Sequence, residues 1–399
     1  MKIQEMLAEK TVEISESYQF ALGYPANRTY AFDITKEMAE WTQKGSSLYL
    51  NNIASPYWHG RYTNNHLKLI EVKLINAIAN HLKLHNEFGY VTSGGTEANF
   101  TCLWWHRKYL EKNSASPPVI ICSNKCHYSV KKIANQLGIK CYELTFLREE
   151  DFCIRLKKIL QSLCNPVIFV ANVGSTIDGY IDDLTNIKEI LQTYCQNQYK
   201  IHADGAIYGL MIPFLDRYKS LHSIFNCIDT LSLSGHKFLG CQHISGVAIT
   251  KKTYIDSVFM NEQTAVSYVQ GAVDIIASGS RSGHAVLELA LMVEKALSEG
   301  NCGKTQLEEL WYVCVSRAEM FYQRILSITG QNSLLHFHSG QLSIIIPAPK
   351  NEVERFYLGE KYSLMPVGDK QFGIYVFPDS SEMKLNNFLF DYKRFELCR

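Results

Sequence analysis

The chain lacks a charge excess of either sign. Forty Lys and Arg against 39 Asp and Glu leave a formal net charge of +1, so no global field draws it to nucleic acid or to an anionic membrane. It also lacks any run approaching the ~18 consecutive apolar residues of a membrane span. The opening MKIQEMLAEKTVEISESYQF carries acidic side chains where a secretory leader needs an uninterrupted apolar stretch, so a cytoplasmic protein is expected. Twelve cysteines lie between Cys102 and Cys398 without a C-x-x-C pair. Only Cys122 and Cys126 are close enough to suggest a metal pair, and reduced, mostly buried thiols are expected instead. Neither G-x-G-x-x-G nor a P-loop occurs, which counts against a nucleotide cradle. There is no repeat, low-complexity tract or long linker to mark domain limits.

What is present is the balance of a globular protein: 46% hydrophobic and 20% charged residues in 399, enough for a large and a small domain. Residues 1–62 read as an irregular N-terminal arm, with turns at Gly23-Tyr24-Pro25 and Asn51-Asn52. Leu67, Ile70, Leu74, Ile78 and Leu82 recur at helical spacing and predict an amphipathic helix within 65–85. Short apolar runs then follow at Val119–Cys122, Val167–Val170, Lys200–Ala203, Thr230–Leu233 and Gly246–Thr250, separated by helix-length segments such as Leu184–Cys195. This alternation predicts an α/β domain over 63–290, built on a mostly parallel sheet whose last strand pairs differently. Residues 291–399 are expected to form a smaller α+β domain, with strands at Leu342–Ile346 and Phe372–Phe377 and a closing helix at Ser381–Phe395.

Chemistry concentrates at the ends of these predicted strands. Ser232-Leu233-Ser234-Gly235-His236-Lys237 puts a lysine just beyond an apolar strand, at the sheet edge where ligands bind in open α/β folds. A desolvated lysine there is free to form a Schiff base with an aldehyde cofactor; a solvated lysine is the plain alternative. Ile201-His202-Ala203-Asp204-Gly205-Ala206 sets a carboxylate at another strand end, followed by residues small enough to floor a flat ring. Pyridoxal phosphate (PLP) chemistry needs such a carboxylate against its pyridine nitrogen, although a helix-capping Asp reads the same way. Val91-Thr92-Ser93-Gly94-Gly95-Thr96-Glu97 opens a helix with small residues whose free N–H groups suit a phosphate. His127, after the strand at 119–122, could cover the ring and meet a substrate carboxylate, or be an ordinary histidine.

In order along the chain, Gly23–Asn27, Tyr90–Glu97, His127-Tyr128-Ser129, Asn172–Thr176, His202–Ala206, Ser234–Phe238 and Gly279–His284 resemble the PLP-dependent group II amino-acid decarboxylases. Within that group the resemblance is to bacterial histidine decarboxylase and plant serine decarboxylase. It implies a fold-type I PLP-dependent transferase-like fold and a homodimer with shared active sites. It assigns Lys237 to the Schiff base, Asp204 to the pyridine nitrogen and His127 to stacking on the ring. It further assigns Gly95, Thr96 and Ser234 to the phosphate with His236 beside it, Ala206 to the other ring face, and Thr176 to the vicinity of the ring.

Departures fall where substrate should be read. Asn51-Asn52-Ile53-Ala54-Ser55-Pro56 stands where relatives carry Asn-Asn-x-Gly-Asp-Pro, Cys241–Ser245 replaces a Pro-rich turn, and Ser282 stands for the usual Asn. The expected reaction is decarboxylation of an L-amino acid, histidine first. Serine is the alternative, because Asp204-Gly205-Ala206 replaces Asp-Ala-Ala. A fold-type I aminotransferase and a non-catalytic scaffold are the other readings. Tyr268 is either a proton donor or a structural tyrosine, the second being the plainer reading, and Tyr57, Trp58 and His59 are either substrate contacts or arm packing.

Overall fold

A computed structural model describes residues 3–45, 50–57, 66–218, 221–259 and 275–398. Trp58, His59 and Tyr268 lie outside the described residues. The chain divides into two compact units, one of residues 32–176 and 180–307, the other of 1–31, 177–179 and 308–399.

The larger unit is built on a seven-stranded sheet of β1 (Glu87–Thr92), β2 (Val119–Ser123), β3 (Lys140–Leu144), β4 (Val167–Asn172), β5 (Tyr199–Asp204), β6 (Thr230–Ser234) and β7 (Gly246–Lys251). Spatial order is β1-β7-β6-β5-β4-β2-β3. β2 through β6 pair in parallel. β7 runs antiparallel to both β6 and β1, the different pairing expected of it. All residues of β2, β4 and β6 are buried, as strands covered on both faces must be.

Two strands were not legible as apolar runs. β3 is an edge strand whose residues are all exposed or half-buried, and β1 carries Gly89 at its centre, where a β-carbon would meet the Ala248 carbonyl of β7 at 2.8 Å. The amphipathic helix forms at His66–His81 and buries Leu67, Leu74 and Ile78, with Leu82 buried just beyond its end.

The smaller unit packs helices Glu352–Lys361, Glu382–Tyr392 and most of Gln306–Thr329 on a four-stranded sheet. Its strands are β8 (His336–Phe337), β9 (Ser343–Pro347), β10 (Met365–Val367) and β11 (Gln371–Tyr375), in the order β10-β11-β9-β8. Ile344, Ile346, Ile374, Phe321 and Phe388 form its core. The N-terminal stretch is not irregular: Ile3–Tyr18 and Thr35–Gly45 are helices. The Asp33 side chain starts the second by accepting the Thr35 N–H at 3.0 Å, a local cap that apolar periodicity does not reveal.

Candidate active site

The carboxyl ends of the strands converge on one cavity of about 290 Å³. Gly95 and Thr96 follow β1, His127 follows β2, Thr176 follows β4, Asp204 ends β5 with Ala206 just beyond, and Ser234, His236 and Lys237 close β6. Each of these residues lines the cavity, joined by Asn99, Asn172, Ile207 and Ile244. Chain crossovers on a parallel sheet bring such strand ends together however distant they are in sequence.

The helix Gly95–Asn113 starts at the cavity wall. Glu97 folds back over its first turn, accepting the Ser93 N–H at 2.9 Å, and takes the Ser278 hydroxyl at 2.6 Å on its other oxygen. Gly95 and Ser234 meet here: a β-carbon on residue 95 would lie 2.5 Å from Ser234 Oγ. That hydroxyl is buried without a hydrogen-bond partner among the described residues. A buried, unpaired hydroxyl is costly unless a ligand completes it.

Burial lowers the pKa of Lys237, and the charge of Asp204 pulls the other way. His127 is likewise lowered by burial and by Lys237, with Asp204 opposing. Its Nδ1 accepts the Ser129 N–H at 3.3 Å and lies 2.8 Å from Ser129 Oγ, so the neutral ring carries its proton on Nε2. His236 has the opposite tautomer. Its Nδ1 lies 3.2 Å from the Ser245 carbonyl and must donate to it, while burial lowers its pKa.

Gly205 does not line the cavity, contrary to the expectation that it helps floor a ring. A β-carbon there would meet Leu231 at 2.8 Å, Gly209 Cα at 2.9 Å and the Ser232 carbonyl at 3.0 Å. The glycine is required by packing of the turn against β6.

Two of the three unusual segments, Ser282 and the turn Cys241–Ser245, have structural explanations, whereas the first departs at Ala54 and Ser55 and its buried Asn52 is a residue that relatives share. Asn52 donates to Glu71 at 2.5 Å. Ser282 caps the helix Gly283–Leu297 by accepting the Ala285 N–H, a task Ser and Asn perform equally well. The turn Cys241–Ser245 is held by buried Glu288, which accepts from Gln242 N at 2.7 Å, His243 N at 2.8 Å and the His243 ring at 2.7 Å. Tyr57 packs on Phe88 with ring centroids 5.0 Å apart.

Three features were not singled out in the sequence, two at the cavity and one among residues that do not line it. Asn99 donates to Asp204 at 2.8 Å, His202 bonds Asn99, and Arg281 is tied into a buried cluster with Glu71. Spacing holds a signal for the first two. Residues 202 and 204 share one face of a strand, and residues 95 and 99 share one face of a helix.

The pyridoxal-dependent decarboxylase conserved domain matches residues 62–278. The chain belongs to the pyridoxal-dependent decarboxylase family. This decarboxylase is 30% identical over 331 residues to histidine decarboxylase of Solanum lycopersicum, covering 82% of this chain and 74% of that one. It is 31% identical over 318 residues to serine decarboxylase 3 of Oryza sativa subsp. japonica, covering 77% and 67%. In fold it is similar to L-methionine decarboxylase from Streptomyces sp. 590, with a TM-score of 0.81, 18% identity and coverage of 99% and 95%.

It is therefore a PLP-dependent amino-acid decarboxylase, a carboxy-lyase of the fold-type I α/β class. The cavity fits the cofactor: a desolvated amine, a carboxylate on the neighbouring strand, and an unpaired hydroxyl beside a glycine-lined helix start. Among the described residues no helix is long and apolar enough to cross a membrane.

Proposed function

We propose that this decarboxylase acts on L-histidine, releasing carbon dioxide and histamine. The observation that carries the assignment of roles is the shared cavity of Lys237, Asp204, His127 and Ser234. Bound PLP supplies an aldehyde that bonds the substrate amine and a ring that accepts electrons as the Cα–carboxylate bond breaks.

The chain's own groups hold and aim the participants. Lys237 is the amine that would hold the cofactor, and Asp204 would accept the pyridine N–H. Ser234, Thr96 and the backbone at Gly95 would take the phosphate, with His236 alongside. His127 would cover one ring face and Ala206 the other, with Thr176 near the ring edge. The Nε2–H that Ser129 imposes on His127 is a donor available to a substrate carboxylate, positioning it for loss.

Histidine decarboxylases of a plant and of a bacterium support the histidine reading, and serine decarboxylases of similar identity make serine its rival. Beside the tomato enzyme, histidine decarboxylase of Vibrio anguillarum is 27% identical over 350 residues, 85% of this chain and 82% of that one. The feature that pointed to serine, Gly205, is accounted for by packing against Leu231 and Gly209.

The decisive experiment offers PLP-loaded enzyme a panel of amino acids and identifies the products. Histamine with an equivalent of carbon dioxide is expected. Ethanolamine from serine would replace the substrate assignment, a keto acid would indicate transamination, and the absence of both amines would sink both substrates.

We further infer a homodimer with shared sites. Support comes from the family resemblance and from Ile3, Met6, Val12 and Ile14, which stand exposed on the first helix, an apolar set suited to a partner surface. Sedimentation velocity should give twice the chain mass; a monomer that retains full activity would exclude it. Twelve free cysteines support a reducing, cytoplasmic setting.

A further inference from the structure

Asp204 is the last member of a buried file of polar groups. Its Oδ1 accepts the Ala206 N–H at 3.1 Å and its Oδ2 accepts Asn99 Nδ2 at 2.8 Å. Asn99 Oδ1 takes the Ser232 hydroxyl at 2.5 Å and lies 2.9 Å from His202 Nε2. His202 Nδ1 lies 2.9 Å from Thr230 Oγ, which lies 2.8 Å from His106 Nε2. His106 Nδ1 lies 2.7 Å from the Tyr254 hydroxyl. Asp204, Asn99, Ser232, His202, Thr230, His106 and Tyr254 are all buried.

The chemistry of each group sets the direction of every link. A carboxylate only accepts, so Asn99 must turn its NH₂ to Asp204 and its oxygen to His202. That oxygen also only accepts, so His202 carries a proton on Nε2. Burial holds His202 down to about 4 and His106 well below its ordinary value, so each ring is neutral near pH 7 and has a single N–H. His202 Nδ1 is then a lone pair that takes the Thr230 O–H. The Thr230 oxygen, its proton committed, accepts His106 Nε2–H, and His106 Nδ1 accepts the Tyr254 O–H. Every bond points from Tyr254 toward Asp204. The reverse sense fails at its first link, because it sets the Asn99 oxygen against a carboxylate.

We propose that Tyr254, His106, Thr230, His202 and Asn99 form a one-directional hydrogen-bond relay that fixes the aim of the Asp204 carboxylate at the cofactor's ring nitrogen. The relay deepens the proposed role of Asp204 and rests on it. Aligned donors in a low-dielectric interior reinforce one another and present their positive ends to the anion. Asn99 and His202 are positioning residues that act through Asp204.

The first test needs no variant. In protein carrying ¹⁵N-histidine, NMR near neutral pH is expected to show His202 and His106 as neutral Nε2–H tautomers. A cationic His202, or the Nδ1–H tautomer donating to a backbone carbonyl, would overturn the relay even if every variant failed to fold. The second uses Thr230→Val, which removes the hydroxyl, and Thr230→Ser, which keeps it, each loaded with PLP labelled with ¹⁵N in the ring. A protonated ring nitrogen is expected in the wild type and Thr230→Ser. Thr230→Val and Asn99→Ala are expected to shift that resonance toward the unprotonated value and to weaken PLP binding about tenfold. A protonated ring in the wild type with Thr230→Val unchanged in both readouts rejects the relay alone. An unprotonated ring in the wild type rejects the role of Asp204 itself, and the relay with it.

Discussion

Gly95 and Ser234 are mutually dependent: the space a β-carbon would fill on the one is 2.5 Å from the buried, unpaired hydroxyl of the other. Gly95→Ala can be accommodated only if the Ser234 hydroxyl swings aside, since Ala206 Cβ is next nearest at 3.5 Å. The substitution should therefore weaken PLP binding by roughly 10- to 100-fold, the scale of losing one hydrogen bond to a charged group. The cofactor-free protein should unfold near the wild-type midpoint. Fluorescence titration with PLP checks the first, urea unfolding the second; unchanged affinity would refute the shared phosphate role.

Lys237→Met separates chemistry from stability. Decarboxylation should fall by at least about a hundredfold, the low end for losing a positioned catalytic group, and the visible absorbance of the PLP-loaded enzyme should disappear. Burial dominates the lowered pKa of this lysine, so replacing the amine with an apolar chain should leave the cofactor-free protein at least as stable. A large drop in its urea midpoint would contradict the desolvation account.

Acid stability should be set by opposed buried groups. Burial raises Asp182 from 3.8 to about 6, even though it accepts Asn172 N at 2.6 Å and Asn172 Nδ2 at 2.9 Å. Between those values the native state holds a proton that the unfolded chain has released, so this carboxyl costs stability as pH rises. His202, lowered from 6.5 to about 4 by burial, has the opposite sign. The unfolded chain binds a proton that the native ring refuses, and stability is lost as pH falls through that window; His106 adds to it. Two histidines outweigh one carboxyl, so urea midpoints should drop from pH 6.5 to 4. Asp182→Asn should drop more steeply, and a parallel curve would disprove the assignment.

Arg281 belongs to a buried clasp. It pairs with Glu71 through Nη1 and Nη2 and donates to the carbonyls of Val91 and Ala54 at 2.8 Å each. Glu71 also accepts the Val91 N–H at 2.7 Å. Arg281→Met strands a buried carboxylate and should destabilise by about 3–5 kcal/mol. Adding Glu71→Leu should restore part of the loss, which a double-mutant cycle in urea would measure; strictly additive losses would count against the clasp.

The cavity-lining residues were legible because each ends or follows its own strand within a few positions, and short-range spacing survives in a one-dimensional pattern. Lys237, Asp204 and His127 needed no knowledge of the neighbouring strands to be singled out. Gly205 shows the limit of that reading. Beside Asp204 it looked like part of a ring floor, yet its lack of a side chain answers to Leu231 and Gly209. Ser282 and the turn Cys241–Ser245 looked like changes in substrate reading and prove to be a helix cap and a loop held by Glu288.

By itself, then, the order of residues determined the alternation of buried strands and helices and the identity of the groups at the strand ends, because periodicity, capping and turn chemistry act over a few residues. The tertiary structure alone decided which edges received β1 and β3, which glycines yield to packing, and how Asn99, His202, Thr230 and His106 line up behind Asp204. Those hydrogen bonds join residues separated by as many as 124 positions. Their direction depends on burial and on which acceptor faces which donor, relations that exist only once the sheet has closed around them.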